Sequence, residues 1–412
     1  MKNYGSMTIL KIIQNFQMNK VAPVLSKSRI VVVSHIFASG PAQALIEYLT
    51  EKNIAQEVVF IGHPLLPVPG ELSISFLHRY VKGKRKEVKT RRNFGPRFSL
   101  HYLENFFVTI YWLLKRDQKW NVFIGANNLN AFSGIILKLL GRANKVIFYC
   151  VDYAPKRFGN PIVNYFYHFL DRLTVCFADE IWNLSPRMVE GREKYKHLVI
   201  DPRKNKIVPM GIWFTKIKRV LFSKVEKNSL VFMGHLMKEK GVQSVIKAVP
   251  LILKEIPDFK FLIIGKGEYE DELKQLVKGL SLGKKVIFAG YIADHEKMEN
   301  MLARCAVAVA LYERGDLESN FTYYADPGKI KDYLGAGLPV ILTDVPPNAR
   351  EIEKAGCGIV ISEDKNEIAA AVVEIMNNER KLKEYRRKTF LYVKQFDWNK
   401  IFNSAFAEGL LE

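Results

Sequence analysis

Short runs of continuous apolar residues alternate with amphipathic stretches of helical spacing along most of the chain. Ile30–Ser34, Val58–Ile61, Val122–Gly125, Lys145–Cys150, Glu180–Asn183 and Ile207–Val208 read as strands in the first half. Leu230–Met233, Phe261–Ile264, Val286–Phe288, Ala306–Ala310, Val340–Leu342 and Gly358–Ile361 repeat the pattern in the second. Strands apolar on both faces must be covered on both faces, which points to parallel βα units. Two such blocks in series predict an α/β protein with two Rossmann-like doubly wound domains. Periodicity lapses between Met210 and Ser229, which sets the domains at residues 29–212 and 213–390. Residues 1–28 form an N-terminal extension with Ile9, Ile12, Ile13 and Phe16 at helical spacing, read as a packed or fraying tail or as a surface-lying amphipathic helix. Residues 391–412, with Trp398 and Phe402, are expected to form a last helix that crosses back to the first domain.

Composition narrows the class. The 412 residues are 48% hydrophobic and 25% charged, an ordinary globular balance. Cys150, Cys176, Cys305 and Cys357 stand singly, with no zinc-type spacing, which fits a reducing compartment and a cytoplasmic location. No run reaches the roughly 18 apolar residues of a membrane span, and residues 1–28 lack a signal-peptide hydrophobic region. Charge changes the picture more. Residues 1–210 hold 31 Lys+Arg against 14 Asp+Glu, or +17, and residues 211–412 hold 31 against 28, or +3, giving the net +20. The densest stretch, Arg79–Arg97, would attract an anionic membrane surface or a polyanionic substrate, or is a solvated loop. It carries no recognisable nucleic-acid module, so no nucleic-acid partner is expected.

Three segments carry candidate chemistry. In Ala325–Asp344, ADPGKIKDYLGAGLPVILTD, Asp326 reads as an N-cap and Pro327 as the first helical residue. The helix N-terminus at Pro327 and Gly328 offers unpaired N–H groups to a diphosphate, and Lys329 adds a full charge. Asp332 lies one turn on, on the same face, where a carboxylate can accept two hydrogen bonds from a vicinal diol such as a ribose. The alternative is a capped surface helix with a charged face. In Leu230–Ala248 a strand ends at Gly234, and His235, Lys238 and Lys240 follow before a helix; the loop either reaches phosphates or is a lysine-rich surface turn. LIIGKG at Leu262–Gly267 lacks the third glycine of a dinucleotide fingerprint.

Taken in order, GHLMKEKG, LIIGKGEYEDELKQL, VIFAGYI, DPGKIKDYLGAGLPVI and the glycine of AGCGIVI resemble the nucleotide-sugar-dependent glycosyltransferases of the GT-B fold, especially those like glycosyltransferase family 4. The likeness covers roughly residues 229–378, and IVVVSHIFASGPAQAL matches the family's opening strand, glycine loop and helix more loosely. The resemblance implies GT-B architecture with a deep interdomain cleft, donor nucleotide in the second domain, acceptor mainly in the first, and no metal or other cofactor. It places Lys240 on the donor diphosphate, Asp332 on the ribose, the Pro327–Lys329 backbone on the diphosphate, Tyr291 and Ile292 beside the base, and Gly40 in the first-domain loop that approaches the donor. Two positions depart from the family pattern. His235 replaces the usual arginine, and Tyr324 stands where the sugar-contacting glutamate is expected, leaving Asp326 or Glu313 as substitutes.

An inverting transfer needs a base for the acceptor hydroxyl. Asp152 in YCVDYAPKRF follows a strand, where α/β sheets place ligands, and Lys156 and Arg157 could position an anionic acceptor or donor phosphate. Asp152 can equally be a turn residue. His35 is the second candidate base, and Asp171 and Asp179 read as helix-surface and cap positions. The expectation is therefore a glycosyltransferase using a UDP- or GDP-sugar and a glycan or lipid-linked acceptor, peripheral on the inner face of a membrane. A GT-B nucleotide-sugar epimerase and a non-catalytic nucleotide- or polyanion-binding protein are the alternatives.

Overall fold

The computed structural model describes residues 23–35, 40–64, 74–93 and 98–410. The extension's helical spacing at residues 9–16 lies outside them. The chain forms two units, residues 1–209 with 398–412, and residues 210–397.

The first unit runs β1 (Arg29–His35), α1 (Pro41–Glu51), β2 (Glu57–His63), β3 (Ile74–Val81), β4 (Lys84–Arg92), α2 (Phe98–Leu114), β5 (Trp120–Ala126), α3 (Asn128–Leu139), β6 (Ala143–Cys150), α4 (Pro161–Phe177), β7 (Glu180–Asn183), α5 (Pro186–Lys196) and β8 (Asn205–Ile207). Its sheet order is β4-β3-β2-β1-β5-β6-β7-β8. Six strands are parallel, as the apolar runs imply, but β3 and β4 add an antiparallel hairpin to one edge. The basic stretch is thus not a loop: residues 79–92 lie in this hairpin, and 94–97 lie outside the described residues. Its turn is Lys82-Gly83, both with positive φ (49° and 72°), the two-residue geometry that matches strand twist.

The second unit runs β9 (Glu226–Met233), α6 (Val242–Glu255), β10 (Lys260–Ile264), α7 (Glu270–Gly279), β11 (Val286–Gly290), α8 (His295–Arg304), β12 (Cys305–Ala310), α9 (Phe321–Tyr324), α10 (Gly328–Gly335), β13 (Val340–Thr343), α11 (Ala349–Lys354), β14 (Gly358–Ile361), α12 (Lys365–Met376) and α13 (Glu379–Val393). All six strands are parallel, in the order β11-β10-β9-β12-β13-β14. Alternate residues of each strand enter different cores. Leu230, Phe232, Phe261 and Ile263 pack on one face, and Val231, Ile264, Ala308 and Ala310 on the other. Two buried faces leave no polar position, which is why these strands read as unbroken apolar runs.

The last helix, α14 (Trp398–Leu410), groups with the first unit. Tyr48 Oη donates to Asn403 Oδ1 at 2.6 Å, and Phe406 packs against Tyr48 and Trp182. The expected crossing at residue 391 falls too early. α13 runs to Val393, with Arg386 bonded to the Cys305 carbonyl at 2.8 Å, and Asp397 still accepts from the Phe214 N–H. No helix among the described residues is long and apolar enough to cross a membrane.

Candidate functional site

In the second sheet the strand order reverses between β9 and β12. Neighbouring connections leave in opposite directions there, so the carboxyl ends of these two strands border a crevice where doubly wound sheets bind ligands. Glycines let the backbones close in at this edge. The Gly234 N–H donates to the Ile264 carbonyl and the Gly265 N–H to the Gly290 carbonyl, both at 2.9 Å. A Cβ on Gly265 would lie 1.9 Å from the Gly234 oxygen, and φ is +140°, so only glycine fits.

Helix α10 points its N-terminus at this crevice because Tyr333 ties it to β9. The Met233 N–H donates to Tyr333 Oη at 2.6 Å, and that hydroxyl donates to the Met233 carbonyl at 3.2 Å. Pro327, not Asp326, is the N-cap, and no side chain caps the helix. Among the described residues the N–H groups of Gly328 and Lys329 have no acceptor, leaving the positive end of the helix open to an anion.

Two lysines join it. Lys329 Nζ lies 4.5 Å from the Phe232 ring centre and 4.7 Å from that of Tyr312, and Lys240 Nζ lies 5.1 Å from the Tyr312 ring centre. Neither ammonium has a carboxylate partner among the described residues. Burial, with a smaller push from Lys240, lowers the Lys329 pKa to about 7, and burial lowers that of Lys240 as well. Two desolvated cations without a counter-ion among the described residues, beside an open helix N-terminus, are chemically suited to receive a multiply charged anion. The aromatic faces of Phe232 and Tyr312 hold the ammoniums in place of a carboxylate. The Asp332 carboxyl follows on α10, also without a hydrogen-bond partner among the described residues; burial and the Glu299 carboxylate raise its pKa to about 7.

Asp326 is corrected by the structure. Its carboxylate receives Lys331 Nζ at 2.8 and 3.0 Å, the Met210 N–H at 3.1 Å and Asn348 Nδ2 at 3.1 Å. Both residues are buried, and the pair fixes the turn before α10, so Asp326 is neither helix cap nor sugar contact. Lys331→Met should cost about 3–5 kcal/mol of stability in a denaturant titration, because it strands a buried charge. Tyr324 is buried too, whereas Glu313 lines a cavity of about 390 Å³ with Lys240, Tyr312 and Asn320. His235 is exposed and pairs with Glu268 at 2.9 Å. Tyr291 and Ile292 follow β11, two strands from the switch point; Tyr291 is exposed and Ile292 packs on the core. Gly40 caps α1 in the first unit with extended backbone.

The first sheet has its own reversal between β1 and β5. His35 ends β1, its Nδ1 3.3 Å from Asn127 Nδ2 and its Nε2 without a partner among the described residues. Burial, then Arg157, lowers its pKa to about 4, so the imidazole is neutral at pH 7. After β6, Asp152 Oδ2 accepts from Arg157 Nη1 at 2.7 Å while Lys156 is exposed. The turn carrying Asp152 is braced from beneath. Arg192, fully buried, makes two bonds to Asp171 (2.8 and 3.0 Å), one to Asn183 (2.9 Å) and one to Cys150 Sγ (3.0 Å), and lies 4.5 Å from the Tyr153 ring centre. Asp171 is therefore a buried ion-pair partner, not a helix-surface residue. Asp179 accepts from the Val146 N–H at 2.8 Å and pairs with Lys138. Sequence reasoning missed the Arg192 network and Tyr312, since nothing local distinguishes a buried arginine or tyrosine from an exposed one.

A doubly wound sheet whose switch point presents two cations, an open helix end and a carboxylate defines an α/β class with a ligand crevice suited to an anion. The fold is that of the GT-B glycosyltransferases, and residues 214–392 match the family described as glycosyl transferases group 1. HepE of Anabaena, solved in complex with UDP, superposes with a TM-score of 0.67 at 14% identity, covering 93% of this chain and 99% of that one. A poly(glycerol-phosphate) alpha-glucosyltransferase of Bacillus subtilis is 25% identical over 185 residues, 44% of this chain and 26% of that protein. A GDP-mannose:cellobiosyl-diphosphopolyprenol alpha-mannosyltransferase of Xanthomonas oryzae is 24% identical over 178 residues, 42% of this chain and 44% of that protein. The chain thus spans less than half the length of these curated relatives.

Proposed function

We propose that the protein transfers a sugar from a UDP- or GDP-linked donor to a hydroxyl of a glycan or lipid-linked acceptor. The observation that carries this reading is the unpaired Lys240–Lys329 pair beside the open N-terminus of α10 at the second sheet's switch point. These groups would stabilise the departing diphosphate, whose negative charge grows as the glycosidic bond breaks. Asp332 accepts from the ribose hydroxyls, Tyr291 and Ile292 border the base, and Glu313 is the carboxylate nearest in kind to a sugar contact. In the first unit Asp152 takes the acceptor proton, with Arg157 holding it in place. The ammoniums and helix end supply countercharge from the protein itself, so no metal or other cofactor is required in this scheme. The relatives named above are a glucosyltransferase and a mannosyltransferase, and the Xanthomonas enzyme is named for a diphosphopolyprenol acceptor, in keeping with this reading. Four free cysteines suit a cytoplasmic location.

Thermal-shift titration tests the donor site. UDP or GDP should raise the melting temperature with or without EDTA, and the stronger of the two selects the base. No shift with either nucleotide sinks the reading. Product analysis with donor alone separates transfer from epimerisation.

A further inference from the structure

The helices α2, α3 and α4 lie side by side on one face of the first sheet. Phe106 stacks on Phe132 with ring centres 6.0 Å apart, and Asn128 Nδ2 donates to the Tyr167 carbonyl at 3.2 Å. The outer side of this layer is apolar. On α4, Ile162, Tyr165, Phe166 and Phe169 are exposed, Tyr165 by 67% and Phe166 by 62%. On α2, Leu103, Phe107, Tyr111 and Leu114 recur every three to four residues as one exposed stripe, Phe107 by 63%. Soluble monomers rarely leave such ridges uncovered.

The β3–β4 hairpin borders α2 and the turn after it through two ion pairs, Arg91 to Glu104 of the helix at 3.4 Å and Glu87 to Arg116 of the turn at 2.8 Å. Arg79 and Lys89 are also neutralised by carboxylates. Lys82, Lys84, Arg85, Lys86 and Arg92 are exposed and have no ion-pair partner among the described residues. An aromatic ridge beside a one-signed cluster of free cations is the composition of an interfacial surface. Each cation near an anionic bilayer raises partitioning roughly fivefold. A second copy of the chain is a poorer occupant, because a twofold interface on this face would bring the two basic hairpins towards one another.

We propose that this face docks on an anionic lipid bilayer, the α2 and α4 aromatics entering the interfacial region and the hairpin cations lying on the headgroups. The ends of α2 and α4 remote from the hairpin turn border the acceptor turn, at the carboxyl ends of the parallel strands. Tyr102 of α2 lies against His35 with ring centres 5.3 Å apart, and Arg157 lies 5.2 Å from the ring centre of Tyr167 of α4. Docking of this helix layer leaves Asp152 and Arg157 bordering the face that meets the bilayer and makes the acceptor hydroxyl that of a membrane-anchored lipid; this second part rests on the transfer reading above.

The test is sedimentation of the full chain with phosphatidylcholine vesicles, with and without phosphatidylglycerol, at low and high salt. Wild type should bind the anionic vesicles and be released by salt. Two triple variants, Tyr165→Ser/Phe166→Ser/Phe169→Ser and Lys84→Glu/Arg85→Glu/Lys86→Glu, should each lower partitioning roughly tenfold or more. Both should keep the nucleotide-induced thermal shift, which shows that the variants fold. Equal binding to neutral and anionic vesicles, undiminished binding by either variant, or a wild-type dimer that the apolar variant converts to monomer would overturn the proposal. Vesicle binding without any nucleotide shift supports docking and removes the transfer reading, so the two fail separately.

Discussion

Lys329→Met weakens nucleotide-sugar binding by about 1.5–3 kcal/mol, roughly 10- to 150-fold, and raises the melting temperature of the unliganded protein. The two effects have one cause. Lys329 sits between aromatic rings with no counter-ion among the described residues, and Lys240 repels it, so in the free protein its charge is a cost that the rings offset in part and a bound anion offsets further. A structural lysine would change stability in the opposite direction. Calorimetric titration together with thermal melts reads both quantities, and unchanged affinity would discard the site.

The pH dependence sharpens this result. With a pKa near 7, Lys329 is charged below pH 7 in the free protein, and a bound diphosphate raises its pKa. Its contribution to affinity is therefore full below pH 7 and declines above, by up to about tenfold per pH unit until the bound-state pKa is passed. Asp332, also near 7, works the other way, since the ionised carboxylate is the better acceptor for ribose hydroxyls. Read with an intact nucleotide sugar, Asp332→Asn should leave affinity falling from pH 7 to 9. Lys329→Met should leave it rising from pH 6 to 8. Slopes of the same sign in both variants would contradict the assignment.

Asp152→Asn should lower turnover by about 10²–10⁴ while the nucleotide-induced thermal shift stays at the wild-type value. Asparagine keeps the shape of the side chain and can still accept from Arg157, so the turn remains braced by Arg192 beneath it. What is lost is the proton acceptor. Steady-state kinetics with a lipid-linked acceptor decides the matter. Retained turnover in Asp152→Asn with loss in His35→Asn would move the base to His35, whose neutral imidazole ends β1 at the first sheet's switch point.

The second unit was the more legible half. Its strands are buried on both faces, so burial alone wrote them as apolar runs, and the glycines ending β9, β10 and β11 all take positive φ, with Gly265 alone lying where a Cβ would strike a neighbouring backbone. Lys329 and Asp332 could be placed on one helix face by spacing alone. The β3–β4 hairpin was not read, although Lys82-Gly83 between alternating residues is its signal, because dense charge masked the alternation. Asp326 was misplaced for a related reason. An aspartate before Pro327 suits a cap by local rules, but the buried Lys331 ammonium five residues on outcompetes a helix N–H for its carboxylate.

The sequence by itself determined the α/β class, two doubly wound units, and which residue types are available to meet a diphosphate, since these follow from hydrophobic period, turn residues and local spacing. The tertiary structure alone decided which charges remain free. Lys331, Arg192 and Asp171 are spent on buried pairs, whereas Lys240, Lys329 and Asp332 have no ion-pair partner among the described residues. Pairing depends on what the fold carries within a few ångströms, from strands and helices distant in the chain, and no local pattern encodes that distance.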